Sequence, residues 1–312
     1  CGTCKVQVLE GEVEHGDASP FALMDMERDE GRCLACCATL LGDAVVEADI
    51  DEEPDQRPIP LQDFGGRIAA LEDLTPTIKG VTITLDDGID FQAGQYVNLS
   101  WPGLAHPRAF SLANPPGEAK LIELNIRRVP GGEATGHVHE RLRVGDRVTV
   151  SGPLGRFFVR KSDPKPLIFI AGGSGLSSPR SMILDLLETD GDTRPITLIY
   201  GARSRSELYY HRDFVELAER YANFRYVPAL SEPTPDCAWE GATGFANDAA
   251  WTHFDGDFRN HKAYLCGPPP MIESCIRTLM KGRLFEKDIY TEKFLSAADA
   301  RQQARSPLFK NL

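Results

Sequence analysis

The stretch FIAGGSGLSSP, residues 169–179, has the pattern of a strand, a glycine turn and a helix, and it predicts the fold class of the C-terminal half of this chain. Its apolar start belongs to a strand predicted over residues 167–171, and a helix is predicted over residues 179–188. Gly172, Gly173 and Gly175 lie between them, where the missing side chains let backbone N–H groups approach a pyrophosphate at a helix N-terminus. The spacing departs from the strict GxGxxG pattern, so a plain tight turn remains the alternative interpretation.

Strands and helices alternate from residue 162 onward. Strands are predicted at residues 167–171, 196–200, 224–228 and 263–266, and helices at residues 179–188, 211–221 and 270–281. This alternation is typical of a doubly wound parallel sheet. Residues 162–312 are therefore predicted to form a nucleotide-binding α/β domain.

Residues 59–161 have the pattern of an antiparallel β domain. Six strands are predicted, at residues 66–71, 81–85, 95–101, 108–112, 121–129 and 147–151. Glycine and proline clusters separate them, and one short helix is predicted at residues 135–142. The spacing favours a β-barrel or sandwich.

Residues 1–58 contain 15 acidic and 4 basic side chains. This segment therefore accounts for most of the net charge of −12 that the 312 residues carry. This sign excludes a nucleic-acid binder. The acidic segment is either a solvated domain or a docking face for a basic partner. Its end, residues 51–58, is charged and punctuated by proline, which predicts a linker.

Five of the eight cysteines lie near the start of the chain, at Cys1, Cys4, Cys33, Cys36 and Cys37. The sequence shows no secretory signal and no apolar run near the roughly 18 residues of a membrane span, so we expect a cytoplasmic protein. Clustered cysteines there indicate metal or redox chemistry rather than disulfides. A four-Cys zinc site, a dithiol redox motif and an iron–sulfur site all remain open on spacing alone.

Two further motifs follow predicted strands. In Arg108-Ala-Phe-Ser111 a guanidinium could pair with phosphate, Phe110 could lie against a flat ring, and a hydroxyl could reach a ring nitrogen. In Cys266-Gly-Pro-Pro a small thiol follows a strand at the edge where such sheets bind ligands. The alternatives are an exposed arginine on an edge strand and a structural buried cysteine.

The order of these motifs resembles the ferredoxin–NADP reductase family over residues 65–295. The resemblance implies that FAD would be held by Arg108, Phe110, Ser111, Ile126, Gly131, Gly132, Thr135 and Phe294. It implies that NAD(P)H would be held by Gly172, Gly173, Ser174, Gly175, Cys266, Gly267 and Pro268. Ser111, Cys266 and Glu292 would shape the hydride-transfer pocket as catalytic residues. Where the family often has tyrosine this chain has Phe110, which keeps the ring stacking and loses a phenol hydrogen bond.

The cysteine-rich start resembles the tail of a plant-type 2Fe-2S ferredoxin, with Cys1, Cys4 and Cys36 as metal ligands. By this resemblance a further ligand would precede residue 1. We therefore expect a truncated β-grasp ferredoxin domain and linker at residues 1–58, and a cluster that is not stably held by the chain as written.

The ferredoxin–flavin–nicotinamide order resembles the reductase components of bacterial multicomponent oxygenases. Residues 10–14, 18–25, 94–99 and 172–179 are very similar to those of phenol hydroxylase reductases, and this match spans essentially all 312 residues. The resemblance implies an enzyme, monomeric when alone, that passes electrons from NAD(P)H through FAD and a 2Fe-2S cluster to a diiron hydroxylase. A flavin is required between the other two because NAD(P)H gives two electrons together and the cluster accepts one at a time. The alternatives are a reductase of a ring-hydroxylating dioxygenase and a non-enzymatic electron-transfer module.

Coenzyme choice is expected to lean toward NADPH. The strand at residues 196–200 is followed by Arg203 and Arg205, which could pair with a 2′-phosphate, and no carboxylate occurs before Glu207. Two solvated loop arginines with dual specificity are the alternative.

Overall fold

A computed structural model describes residues 4–18, 22–48 and 53–294 of the chain. The chain forms two compact units, residues 1–54 and residues 55–312. The segment after Pro54 belongs to the second unit because Asp55 is bonded there. Its carboxylate accepts from the hydroxyl of Ser162 at 2.6 Å, and its carbonyl oxygen accepts from Gln92 Nε2 at 2.8 Å.

The first unit is built of short strands around one helix. Its elements are β1 (Lys5–Glu10), β2 (Val13–Glu14), α1 (Asp25–Asp29), β3 (Arg32–Leu34), β4 (Thr39–Leu40) and β5 (Val45–Glu47). β1 lies between β3 and β5 in an antiparallel sheet, and β2 pairs with β4. Leu23 and Leu34 form the centre of its core, with Cys4 and Cys37 packed against them.

The N-terminal part of the second unit is the predicted antiparallel barrel, which the structure confirms. Its elements are β6 (Gln62–Asp73), β7 (Ile78–Leu85), β8 (Tyr96–Ser100), β9 (Arg108–Ser111), β10 (Leu121–Arg127), α2 (Glu133–Glu140) and β11 (Arg147–Leu154). The strand order is β10-β7-β6-β11-β8-β9, and an antiparallel bridge between Leu112 and Leu124 nearly closes the barrel. Both leucines are fully buried in its core.

Helix α2 begins two residues before the predicted start. Gly132 takes the N-cap position, so Thr135 lies inside the first turn. There its hydroxyl accepts a hydrogen bond from the N–H of Val129 at 3.0 Å. The side chain therefore stabilises the approach to the helix instead of capping it.

The C-terminal part is a six-stranded parallel sheet with helices on both faces. Its elements are β12 (Leu167–Gly172), α3 (Ser177–Leu184), β13 (Ile196–Ala202), α4 (His211–Arg220), β14 (Phe224–Leu230), β15 (Ala242–Thr243), α5 (Ala246–His253), β16 (Lys262–Gly267), α6 (Pro269–Lys281) and β17 (Ile289–Lys293). The order is β15-β14-β13-β12-β16-β17.

The two faces of β12 explain the doubly wound arrangement. Leu167, Phe169 and Ala171 pack with apolar residues of α3 and α4. Ile168 and Ile170 pack with those of α5 and α6 on the opposite face. Because alternate side chains of a strand point to opposite faces, this continuous apolar run lies buried between two helical layers.

Three elements of this sheet domain were not predicted: β15, α5 and β17. β15 has two residues and α5 carries polar residues at half its positions, so neither gives a clear periodic signal. β17, with the sequence IYTEK, is an edge strand with little apolar character. Within the described residues, no helix combines the length and apolar composition that crossing a bilayer requires.

Candidate functional site

Cys266 and Glu292 are brought together by strand register. β16 and β17 are parallel neighbours, and the register pairs Cys266 with Glu292 at their carboxyl ends. The Cys266 thiol donates to Glu292 Oε2 at 3.5 Å. The sequence predicted both residues for the hydride-transfer pocket, and the structure places them side by side.

Two hydroxyls from other elements reach the same carboxylate oxygen. Ser111, at the end of barrel strand β9, donates to Glu292 Oε2 at 3.1 Å, and Ser178 of α3 donates to it at 2.7 Å. We call Ser111, Ser178, Cys266 and Glu292 the Glu292 cluster. It joins the barrel, the helix after the glycine turn and two strands of the parallel sheet at one point.

Burial dominates the electrostatics of this cluster. It raises the pKa of the Glu292 carboxyl, although hydrogen bonds from Ser178, Cys266 and Ser111 act in the opposite direction. Burial, followed by the nearby Glu292 carboxylate, raises the pKa of the Cys266 thiol well above its usual range. Cys266 is therefore a neutral thiol at physiological pH, unsuited to act as a thiolate nucleophile.

The glycine turn lies directly against the strand that carries Cys266. Gly173 has a φ of +55°, which favours glycine, and its carbonyl oxygen accepts from the hydroxyl of Tyr209 at 3.0 Å. A Cβ on Gly175 would overlap the carbonyl oxygen of Cys266. Glycine is thus required here by packing as well as by any ligand. Ser174 lies in the same turn and is partly buried.

A cavity of about 380 Å³ opens beside this turn. Gly172, Gly173 and Pro268 line it together with Arg127 and Arg203. Two guanidinium groups beside a glycine turn suit an anionic, elongated ligand.

The two arginines predicted for coenzyme choice behave differently. Arg203 lines the cavity and lies 3.3 Å from Oε1 of Glu207, which also lines it. Arg205 donates to the carbonyl oxygen of Cys237 at 2.9 Å and is absent from the lining. Glu207 Oε2 in turn accepts from the hydroxyl of Thr77 at 2.9 Å. From its sequence position, Glu207 was expected to lie too far beyond the strand for a ribose contact. The structure shows that its carboxylate lies in the cavity.

The predicted flavin residues other than Phe294 lie in the barrel domain. Arg108 donates to the carbonyl oxygens of His106 and Pro107, at 2.7 and 3.2 Å, and has no ion pair with a described residue. Phe110 is partly buried, and Gly131, with a φ of +71°, lies in an open turn. The Arg108 guanidinium therefore has donors for a phosphate.

Ile126, Gly267 and Phe294 lie close to the ends of the strands that meet at the site. Ile126 of β10 buries its side chain in the barrel core, and its carbonyl oxygen contacts His139 Nε2 at 2.9 Å. The N–H of Phe294 donates to the carbonyl oxygen of Gly267 at 3.0 Å. Phe294 packs against the core of the sheet domain, next in the chain to β17.

The first unit brings together two of the predicted metal ligands. The Sγ atoms of Cys4 and Cys36 are 3.2 Å apart, and Cys37 Sγ is 3.5 Å from Cys36 Sγ. The backbone N–H of Cys36 lowers the pKa of the Cys4 thiol. Cys33 is buried. Cys1 lies outside the described residues, and the described ranges contain no group of three or more potential metal ligands.

The residues present fit the implied cofactors. Arg108 offers a guanidinium for a phosphate, while Gly172 and Gly173 leave room for a backbone contact beside Arg127 and Arg203. The paired thiols of Cys4 and Cys36 are soft ligands suited to be two of the four cysteine ligands of a 2Fe-2S cluster.

Several contacts at the site were missed from the sequence. Ser178 gives the shortest bond to Glu292, and Arg127 lines the cavity. Arg180 of α3 bonds Glu123 of β10 at 2.9 Å, linking the sheet domain to the barrel. The Ser-Ser pair after the glycine turn was the available signal for Ser178, because hydroxyls there lie at the start of a helix near the site.

Three families of known protein domains match three successive segments of this chain. Residues 1–41 match the 2Fe-2S iron-sulfur cluster binding domain family, residues 68–159 the oxidoreductase FAD-binding domain family and residues 169–277 the oxidoreductase NAD-binding domain family.

Full-length relatives agree with this assignment. The reductase component of phenol 2-monooxygenase from Pseudomonas sp. strain CF600 is 61% identical over 100% of this chain and 88% of its own length. The phenol hydroxylase P5 protein of Acinetobacter pittii strain PHEA-2 is 56% identical with the same coverage. The crystal structure of the Amycolatopsis cytochrome P450 reductase GcoB matches with a TM-score of 0.83 and 37% identity, covering 94% of this chain and 87% of that one.

These matches confirm the oxidoreductase and the FAD, NAD(P)H and 2Fe-2S cofactors expected from the sequence. The chain therefore belongs to the family of phenol hydroxylase reductase components.

Proposed function

We propose that this chain is the reductase of a multicomponent phenol or related aromatic hydroxylase, with a diiron oxygenase as its electron acceptor. The 61% identity to the reductase component of a phenol 2-monooxygenase supports the acceptor, and the Glu292 cluster supports hydride transfer to a flavin. It brings Ser111 of the barrel within 3.1 Å of a carboxylate that also contacts Cys266, beside the nicotinamide-side glycine turn. A hydride donor and a flavin must meet at such a junction.

The cofactors carry the electrons, and the protein positions them. When bound, FAD would supply the chemistry that links NAD(P)H, a two-electron donor, to a 2Fe-2S cluster, a one-electron acceptor. Ser111 would offer its hydroxyl to the flavin ring, and the small, neutral Cys266 side chain would leave space for the nicotinamide. Glu292 would hold Cys266 and Ser178 in place through Oε2 while Ser111 turns its hydroxyl toward the flavin, and it would keep a proton close to the reacting rings.

The cofactor-binding roles are proposed for the residues named from the sequence. Arg108 would pair with a flavin phosphate, and the N–H groups of Gly131 and Gly132 would support the pyrophosphate. Gly172 and Gly173 would do the same for NAD(P)H in the 380 Å³ cavity. Cys4 and Cys36 would supply thiolates to the cluster.

The proposed reductase works in the cytoplasm and as a monomer. NAD(P)H is a cytoplasmic metabolite, which supports the location. The residues proposed for FAD and NAD(P)H all come from one chain, which supports a monomer. Size-exclusion chromatography of this 312-residue chain, whose mass is 34.4 kDa, tests the second point.

Electron delivery to purified terminal oxygenases tests the function. Anaerobic NAD(P)H should bleach the flavin, and the reduced protein should support hydroxylation by a diiron phenol hydroxylase. A parallel experiment uses the terminal oxygenase of a ring-hydroxylating dioxygenase. We expect the rate of electron transfer to this oxygenase to be at least tenfold lower. Equal or faster support of the dioxygenase would refute the proposal, and an unreduced flavin would refute the assignment as a reductase.

A further inference from the structure

Asn125 lies directly across from Ser111 on the outer face of the barrel. The bridge between Leu112 and Leu124 is antiparallel, so the residues flanking it, Ser111 and Asn125, are opposite each other. Both leucines point into the core, and Ser111 and Asn125 therefore point outward. Side chains in such a pair have Cβ atoms about 5 Å apart. Only 6% of Ser111 and 5% of Asn125 is exposed, so this face of the barrel is covered.

Of the two polar atoms in the Asn125 side chain, only Oδ1 has a hydrogen-bond partner among the described residues. Its Oδ1 accepts a hydrogen bond from the hydroxyl of Tyr210 at 3.2 Å. Its Nδ2 is buried and has no hydrogen-bond partner among the described residues. A buried amide donor without a partner is costly, and native proteins almost always provide one. A ligand with an acceptor atom at this position would provide it.

Tyr210 holds the amide in this orientation. Its ring lies beneath the guanidinium of Arg180, 4.2 Å from the ring centroid, and Arg180 is bonded to Glu123 at 2.9 Å and to the carbonyl oxygen of Ala113 at 2.6 Å. Burial raises the pKa of Tyr210 to about 12, so the phenol stays protonated and remains a donor. The Nδ2 group is thereby directed away from Tyr210.

The position of Asn125 identifies the acceptor. Its cross-strand neighbour Ser111 belongs to the Glu292 cluster, and Arg127, two residues further along β10, lines the cavity beside the glycine turn. The isoalloxazine ring of FAD carries carbonyl oxygens on its pyrimidine edge, next to the ring nitrogen proposed for Ser111. We infer that Asn125 is a flavin-binding residue that donates its Nδ2–H to a pyrimidine carbonyl oxygen of FAD.

This inference rests on the proposed flavin site and adds a consequence for its redox chemistry. Reduction places negative charge on the pyrimidine edge of a flavin. A fixed donor in a water-poor site stabilises the reduced flavin more than the oxidised one. Asn125 therefore raises the flavin reduction potential and strengthens FAD binding.

Substitution of Asn125 separates this role from a structural one. Asn125→Leu keeps the approximate volume and removes both polar atoms, and Asn125→Asp keeps the shape and replaces the donor with an acceptor. FAD affinity is measured by titrating apoprotein, the potential by dye-linked titration of holoprotein, and stability by thermal unfolding of apoprotein. None of these measurements needs NAD(P)H or an oxygenase, so the result is independent of the electron acceptor.

In Asn125→Leu we expect about tenfold weaker FAD binding and a potential about 30 mV lower, which corresponds to a tenfold change in the two-electron equilibrium. Apoprotein stability is measured alongside, because Asn125→Leu removes the unsatisfied Nδ2 group and also the acceptor of the Tyr210 hydroxyl. Asn125→Asp should lose more affinity than Asn125→Leu. Tyr210→Phe should shift the potential in the same direction by a smaller amount.

Asn114 is the matched control, since it is a buried asparagine on the same barrel whose amide is fully used. Its Nδ2 donates to the carbonyl oxygens of Pro115 and Leu121, and its Oδ1 accepts from the N–H of Glu123. Asn114→Leu should destabilise the apoprotein.

Two outcomes would overturn the inference. Unchanged FAD affinity and unchanged potential in Asn125→Leu would show that the amide does not bind the flavin. Wild-type FAD affinity in Asn125→Asp would show that residue 125 does not act as a donor. A holoprotein that fails to accept electrons from NAD(P)H would instead refute the proposed function.

Discussion

The hydroxyl of Ser178 donates to Oε2 of Glu292 at 2.7 Å, the shortest of the three contacts on that oxygen. The two residues are 114 positions apart in the chain. Ser178 lies in the first turn of α3, directly after the glycine turn, and Glu292 lies on edge strand β17. A movement of the glycine turn would thus be transmitted to the carboxylate beside Ser111 and Cys266.

Ser178→Ala should shift the pH profile of flavin reduction to higher pH. The hydrogen bond from Ser178 favours the ionised form of Glu292. Removing this bond therefore raises the pKa of Glu292 further above its usual range. Stopped-flow reduction by NAD(P)H across a pH series measures the shift, and Ser178→Thr should restore the profile.

Ser181 provides the control for this substitution. It is buried on the same helix, and its hydroxyl donates to the carbonyl oxygen of Asn114 at 2.7 Å without contacting Glu292. Ser181→Ala should leave the pH profile in place. Identical profiles for Ser178→Ala and wild type would show that Ser178 does not position Glu292.

The stability of the Glu292→Gln variant relative to that of wild type should increase as pH rises. The pKa of Glu292 is raised on folding, so the folded chain binds its proton more tightly than the unfolded chain. Its stabilising contribution is complete below the unfolded pKa and is lost as pH rises through the folded pKa. Glutamine has no such titration and can still accept from the three donors.

Thermal unfolding of wild type and Glu292→Gln between pH 4 and pH 8 measures this difference. We expect the gap between the two unfolding temperatures to move in favour of the variant with increasing pH. A gap that is constant, or that moves toward wild type, would contradict the burial-dominated electrostatics of the Glu292 cluster.

Arg108→Glu should release FAD. The substitution places a carboxylate where a guanidinium is proposed to pair with a phosphate. Such a pair contributes roughly 1.5–3 kcal/mol, about tenfold to a hundredfold in affinity, before repulsion is added. Arg67→Glu is the matched control, because Arg67 also donates to a barrel carbonyl oxygen, that of Gly145 at 3.1 Å. Full flavin content in purified Arg108→Glu would show that this arginine has no phosphate role.

Glu207→Gln should raise the ratio of NADPH to NADH use, by about tenfold if one charged hydrogen bond is gained. The substitution releases Arg203 from its 3.3 Å ion pair and removes a carboxylate that would repel a 2′-phosphate. Arg203→Ala should lower the same ratio. Arg205→Ala serves as the control, since its guanidinium is bonded to Cys237 outside the cavity lining. Steady-state kcat/KM values decide the question, and a ratio unchanged in both Glu207→Gln and Arg203→Ala would exclude Arg203 from coenzyme choice.

Local sequence patterns predicted most of the strands and helices of residues 59–312 and the class of each domain. The apolar run at residues 167–171, its glycine turn and the helices that follow are local signals, because side-chain periodicity and turn residues act over a few positions. The barrel strands were predicted in the same way, and the motif order was specific enough to indicate the family. Ser111, Cys266 and Glu292 were named from that resemblance.

Which of these residues lie in contact depends on the tertiary structure. Ser178 and Glu292, 114 positions apart, are joined because β17 lies beside β16 in parallel register, and β17 gave no periodic signal. Asn125 gains its place opposite Ser111 from the bridge that nearly closes the barrel. Glu207 enters the cavity through contacts with Arg203 and Thr77, which the spacing of the chain did not reveal. Strand order and register fix these distances, and both arise from packing between segments that are remote in sequence.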